Sequence, residues 1–235
     1  MGPLMTHHPP DDLLAAHAAG AADDAEALLV ATHLALCPVC RDACAALDAV
    51  GGALLGAGAV LPGDPGPAGP SVGMSADALD AALAATLGRL DAPDTDVPRP
   101  MPPADGPNDL PMPLRALTGP LSAIPFRAAA PGIWKFELPQ SRPGRPVCLV
   151  SLRPGLVVPP HRHSGAERGL VLTGGFADET GHYTRGDVSF RTPDEAEPHH
   201  QRIDDGERCV VLMVDDGPKI PTTWLGRVVN FLFGM

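Results

Sequence analysis

Aromatic residues are scarce in this chain, at 4% of 235 positions, and positive charge is scarcer than negative. There are 17 Lys and Arg against 28 Asp and Glu, a formal net charge of −11. That balance argues against direct binding to nucleic acid or to an anionic membrane, both of which are held by basic patches. Long apolar runs are also missing. No window approaches 18 uninterrupted apolar residues, and the C-terminal stretch WLGRVVNFLFGM is short and interrupted by Arg227, so no membrane span is expected. MGPLMTHHPPDD lacks a basic start followed by an apolar run, so no secretory signal is read there. Five cysteines, an odd number in a chain this long, do not make a disulfide framework. The expected compartment is the cytoplasm.

Breakers, by contrast, are abundant: 29 Pro and 26 Gly. They are concentrated. Residues 92–113 hold eight prolines in 22 positions and read as a semi-rigid linker. Residues 56–73, GAGAVLPGDPGPAGPSVG, cannot form regular structure either. Before the linker the chain is rich in Ala and Leu. DDLLAAHAAG predicts a short helix starting at Asp11 and stopping at Gly20. AADDAEALLVATHLALCPVCRDACAALDAV predicts a longer helical stretch with a kink or junction at Pro38. SADALDAALAATLGRLD begins on a capping Ser75 and sets Leu79, Leu83, Leu87 and Leu90 on one stripe. After the linker the pattern changes to short runs rich in Val, Ile, Leu and Phe, such as PVCLVSLRPG, RGLVLTGGFADE and ERCVVLMV, broken by Gly and Pro. Many short strands at this spacing predict a sandwich or barrel. The expected organisation is therefore a helical domain over 1–91, a Pro-rich linker over 92–113, and an all-β domain over 114–235.

The acids are uneven too. Residues 1–60 hold seven acids against one base, Arg41, which would suit a basic protein partner.

Two groups of residues carry chemistry. In THLALCPVC, His33 and Cys37 lie four apart and Cys40 follows one turn later. Two thiolates and an imidazole on one helical stripe suit tetrahedral zinc, which needs a fourth ligand. His7, His8 and His17 are candidates, and Cys44 competes from the same face. The bland alternative is that the cysteines are small hydrophobes buried in an Ala-rich helix, or a redox pair.

The H-x3-C-x2-C string, with a histidine 25 residues upstream, resembles the zinc-binding anti-sigma domain of the ChrR-type anti-sigma factors. The resemblance implies the ligands His8, His33, Cys37 and Cys40, leaving Cys44 out. It implies a domain of about four helices, of which the last, near 75–91, also clamps a sigma factor.

The second group lies in GLVVPPHRHSGAERGLVLTG. His161, His163 and Glu167 share strand parity and can point into a barrel, where two imidazoles and a carboxylate suit a divalent transition metal. The string fits G-x5-H-x-H-x3-E-x6-G, with Gly155 and Gly174 in place, and resembles the first motif of the cupin superfamily. YTRGDV supplies the Gly-Asp turn of the second motif, and EPHHQRI offers its histidine. Adjacent residues face opposite sides of a strand, so only one of His199 and His200 can be a ligand. His200 is preferred because Gln201 and Ile203 follow it in the family manner.

The fold expected is thus a small zinc-bound helical anti-sigma domain followed by a cupin β-barrel or jelly roll. By resemblance the protein is not an enzyme. It binds an extracytoplasmic-function sigma factor in a 1:1 complex and releases it under oxidative, singlet-oxygen-like stress. Leu79, Leu83, Leu87 and Leu90 with Leu13, Leu14, Leu28 and Leu29 are candidates for the docking face, with core packing the expected role of half of them. The rival reading is a metal-dependent cupin dioxygenase or isomerase with a helical accessory domain. A site of three imidazoles and a carboxylate could take zinc, iron, manganese or nickel. Such an enzyme has no evident need of the H-x3-C-x2-C domain.

Overall fold

Pro38 organises the helical region. A computed structural model describes residues 5–56, 75–90, 106, 109–192, 199–217 and 219–221. In it α1 (Asp11–Ala18) is followed by α2 (Asp24–Leu36) and α3 (Pro38–Gly56). Asp23 caps α2, its carboxylate accepting from the amides of Ala25 and Glu26. The residue before a proline is pushed out of helical geometry, and Cys37 accordingly sits at φ −102° and ψ 108° between α2 and α3. The two helices meet there at a bend of 120°. No single described helix is long and apolar enough to cross a membrane. Helix α4 (Ala76–Leu90) starts where expected, with the Ser75 hydroxyl accepting from the amide of Ala78. The breaker-rich segments at 57–74 and 91–105 and the C-terminal WLGRVVNFLFGM lie outside the described residues.

The chain divides into two compact units, one of residues Met1–Asp48 and Pro102–Met235, the other Ala49–Met101. In the first, a helix unforeseen from sequence, α5 (Met112–Thr118), opens the β region. Among the described residues eleven strands follow: β1 (Arg127–Ala130), β2 (Ile133–Glu137), β3 (Val147–Leu152), β4 (Val157–His163), β5 (Glu167–Thr173), β6 (Gly175–Ala177), β7 (His182–Thr184), β8 (Val188–Arg191), β9 (His199–Ile203), β10 (Cys209–Asp215) and β11 (Lys219–Pro221). They form two antiparallel sheets, ordered β1-β2-β3-β10-β5-β8 and β11-β4-β9-β6-β7.

Strands β3 and β10 are buried along their whole length, which is why VCLVSL and CVVLMV lack an alternating polar face. Cys148, Val150, Leu152, Val211 and Met213 pack with Phe176 and Ile203 of the second sheet. The intervening residues, including Leu149, Leu212 and Val214, pack instead with Leu28 and Leu29 of α2 and Leu114 of α5. Helices α2 and α5 thus share one apolar core with the barrel. Each fully buried leucine there contributes on the order of 1.5–3 kcal/mol.

An ionic cluster lies at the same junction. Arg145 pairs with Asp23, with Glu26 at 3.3 Å and with Asp216 at 3.1 Å, while Arg168 reaches Glu26 at 3.0 Å and Asp216 at 2.9 Å. Part of the acidic surplus read as suiting an external basic partner is therefore met by the barrel's own arginines.

Candidate metal centres

The donor atoms of His8, His33, Cys37 and Cys40 all lie within 4.8 Å of one another. The 120° break at Cys37 makes this possible. The donors do not lie on one continuous helical stripe; the bend turns the Cys37 and Cys40 thiols toward His33, and the extended segment before α1 brings His8 across to them. His8 Nδ1 is 3.5 Å from Cys37 Sγ and 3.3 Å from Cys40 Sγ. Ligand atoms around tetrahedral zinc stand about 3.3–3.8 Å apart, given metal–ligand bonds of about 2.0–2.3 Å. The Cys40 amide donates to Cys37 Sγ at 3.5 Å, a bond that favours a thiolate.

His33 is fully buried, and its Nδ1–H donates to the carbonyl oxygen of Gly186 at 2.8 Å. A carbonyl only accepts, so Nδ1 carries the proton and Nε2 keeps its lone pair. That Nε2 is buried and has no hydrogen-bond partner. Burial also holds the His33 pKa below its ordinary value, so the ring is neutral at pH 7, the state a ligand requires. Burial, reinforced by Cys37, pushes the Cys40 thiol up to about 12. A cation among these groups reverses that tendency by stabilising the thiolate. The residues present fit a tetrahedral metal. Cys44 is buried beside them but is not part of the donor group.

In the barrel, His161 and Glu167 are both buried. His161 Nδ1–H donates to the Pro159 carbonyl at 3.0 Å, so Nδ1 carries the proton. His161 lines a cavity of about 250 Å³ whose walls include Val150, Phe176, Val211 and Met213, with Gln201 and Asp215 among its polar groups. Glu167 stands directly across from Asp215 on the neighbouring strand, and both are buried. Two carboxylates so placed repel unless a cation or proton lies near them. His163 lies on β4 two residues from His161 and shares its parity.

His200 does not join this group. Its ring is exposed on the outer side of β9, with Nδ1 2.6 Å from a carboxylate oxygen of Glu179. On the same strand Gln201 lines the cavity and Ile203 lies in the core between the sheets. The backbone register pairs His199 with His161.

A known family accounts for both halves. The family model of the ChrR cupin-like domain matches residues 115–219. The anti-sigma-E factor ChrR of Cereibacter sphaeroides is 34% identical over 97% of this chain and 98% of its own length. The chain belongs to the ChrR anti-sigma factor family. The crystal structure of Rhodobacter sphaeroides SigE in complex with the anti-sigma ChrR matches with a TM-score of 0.68 at 32% identity, covering 90% of this chain and 100% of that one.

For this ChrR family member, sequence reasoning missed three residues at the centres. Asp215 lies one residue past the run ERCVVLMV, which was read as a strand, and was given no role. Gly186 and Asp187 were read as a turn of the barrel, with no sign that they reach the helical centre. Nothing in a sequence spacing of about 150 residues signals such a contact.

Proposed function

We propose that this chain is an anti-sigma factor that holds one extracytoplasmic-function sigma factor in a 1:1 complex in the cytoplasm, keeps it from RNA polymerase, and releases it under oxidative stress of the singlet-oxygen kind. The observation that carries this reading is likeness along the whole chain. Identity to an anti-sigma factor spans 97% of it, so the helical centre and the barrel come together. A cupin enzyme would use only the barrel and has no role for His8, His33, Cys37 and Cys40.

The docking face is argued from exposure. Leu79, Leu83 and Leu87 of α4 are 60%, 54% and 51% exposed, whereas Leu13, Leu14, Leu28 and Leu29 are buried. An amphipathic helix with an exposed leucine stripe is built for a partner. Val50 and Leu54 of α3 are exposed as well.

The metal of the helical centre is zinc, held by His8, His33, Cys37 and Cys40. It supplies a structural cross-link between the N-terminal segment, α2 and α3, and no reaction. The barrel holds a divalent transition metal through His161, His163, Glu167 and a histidine of β9, which its register favours as His199 over His200. The functional division follows 1–91 as the inhibitory domain, 92–113 as tether and 114–235 as the cupin domain that receives the signal.

The test is co-purification from the native host combined with metal analysis. A stoichiometric sigma factor and zinc bound through the two cysteines support the reading. A chain that captures no sigma factor and turns over a small molecule in the barrel overturns it.

A further inference from the structure

We propose that the β7–β8 turn of the barrel, residues 184–188, is the outer shell of the helical metal centre, with Asp187 and Gly186 as its positioning residues. The inference rests on the reading that His8, His33, Cys37 and Cys40 hold a metal.

Two of the four donors are fixed by this one turn. On the His33 side, Gly186 accepts the Nδ1 proton at 2.8 Å, which sets the tautomer and aims Nε2 at the thiols. On the His8 side, Asp187 acts through the preceding backbone. Its Oδ1 accepts from the amide of Thr6 at 2.8 Å and from the amide of His7 at 3.0 Å. Its Oδ2 accepts from the amide of Thr184 at 2.8 Å and from the Thr184 hydroxyl at 3.0 Å, which locks the carboxylate in the turn. The Val188 amide in turn donates to the His7 carbonyl at 3.0 Å. Residues 6 and 7 are thus bonded to the barrel on both edges, and His8 follows directly. Asp187 is only 1% exposed. A buried carboxylate that gives one oxygen to its own turn and the other to a segment 180 residues away ties that segment to the turn.

The turn itself is specialised for the approach. Gly186 has φ +96°, and a Cβ there would come within 2.6 Å of the Met5 side chain. The His7 ring packs at 4.3 Å on Tyr183, which stacks at 5.0 Å on Phe176, a wall of the barrel cavity. The helical metal centre is therefore completed by the barrel. Its affinity depends on residues that are neither ligands nor part of the helices.

The experiment uses the full-length chain loaded with cobalt in place of zinc, in a Cys148→Ser background because Cys148 also lines the barrel cavity, so that thiolate-to-cobalt charge transfer reports on Cys37 and Cys40. Asp187→Asn is compared with wild type and with Asp204→Asn, a barrel variant whose carboxylate contacts His182. Thr6→Pro removes one of the amides that Asp187 accepts and leaves the barrel untouched. Outer-shell substitutions weaken metal binding by about 10- to 100-fold. Asp187→Asn and Thr6→Pro should both release metal to a chelator faster by a factor in that range and shift the cobalt ligand-field bands. Asp204→Asn should do neither. Barrel unfolding, followed separately by circular dichroism, shows whether Asp187→Asn has kept its fold, and Thr6→Pro carries the test if it has not. Wild-type retention and an unchanged spectrum in a folded variant overturn the inference. Absence of a charge-transfer band in the wild-type chain overturns the metal reading instead.

Discussion

His33 Nδ1 lies 2.8 Å from the carbonyl oxygen of Gly186, 153 residues further along the chain. One nitrogen of the ring is spent on the barrel and the other faces two thiols. The same ring therefore belongs to two parts of the protein, and a metal bound at Nε2 is held by a side chain that the barrel orients. Any change in the barrel that moves the 184–188 turn moves His33, one of the four candidate donors.

The first prediction concerns the thiols. Cys37→Ser or Cys40→Ser should remove zinc from the helical centre and abolish sigma-factor capture, because structural zinc supplies about 10–16 kcal/mol of apparent binding free energy in small domains. Cys44→Ser should keep its zinc, since that thiol is buried beside the centre but outside the donor group. Zinc content after dialysis and pull-down of the sigma factor check both. Zinc loss in Cys44→Ser would place that thiol among the ligands.

The leucines separate by burial. Leu83→Asp and Leu87→Asp, on the exposed face of α4, should weaken sigma binding by a factor of about 100 or more while shifting stability by less than about 0.5 kcal/mol. Leu29→Asp should prevent folding, since that side chain is wholly buried against the barrel core. Isothermal titration and thermal melts of the full chain distinguish the two classes. Normal affinity in the α4 variants would move the docking face elsewhere.

A fragment ending near residue 95 should still inhibit sigma-dependent transcription and should no longer respond to stress. It should also melt lower than the helices of the intact chain and depend more steeply on zinc, because Ala25, Leu28 and Leu29 lose their cover and His33 loses Gly186. Transcription assays and hydrogen exchange on the fragment measure both. A fragment that folds with zinc and fails to inhibit would refute the division of labour.

Most of the helical starts and strands could be read from sequence because the determinants are local. Ser75 caps α4, Pro38 breaks α2 from α3, and Val-rich runs bounded by Gly make strands. His33, Cys37 and Cys40 could be picked out for the same reason, as a spacing within one segment, whereas His8 was singled out only by the resemblance. What could not be read is long-range. Whether Leu28 and Leu29 face solvent, a sigma factor or the barrel depends on α5 and β10, which no helical periodicity encodes. The choice between His199 and His200 turns on which face of β9 lies inward, and one residue of register reverses it. Asp187 looked like a turn residue because its partners, Thr6 and His7, lie at the other end of the chain.

A pH dependence follows from Asp178. Burial disfavours its charge, but hydrogen bonds from Thr180 and Arg191 outweigh that, and its pKa lies below the ordinary carboxylate value. The folded pKa is below the unfolded one, so the carboxylate stabilises the fold at neutral pH and this contribution is lost as pH falls through the folded value. Asp178→Asn should cost about 1–3 kcal/mol at pH 7. The gap from wild type should close on acidification below pH about 3.9, the unfolded value. Urea unfolding followed by Trp fluorescence at several pH values tests it, and a gap that stays constant into acid would refute the assignment.

The final prediction is the barrel metal. Glu167 is buried opposite Asp215, and the buried His161 lines the barrel cavity, so two carboxylates and an imidazole stand within one barrel as candidate donors. Glu167→Ala removes one anionic donor and should lower the barrel's metal content at least about 10-fold while the strands persist, since their register rests on apolar contacts between β3, β5 and β10. Sigma factor should then stay sequestered under oxidant. His199→Ala should reproduce the loss, whereas His200→Ala should retain metal and merely free Glu179 on the outer face. Metal analysis of the three variants beside a release assay reads all of this at once. Metal loss in His200→Ala with retention in His199→Ala would reverse the strand-parity argument. Normal stress release in a metal-free Glu167→Ala chain would separate the barrel ion from signalling altogether.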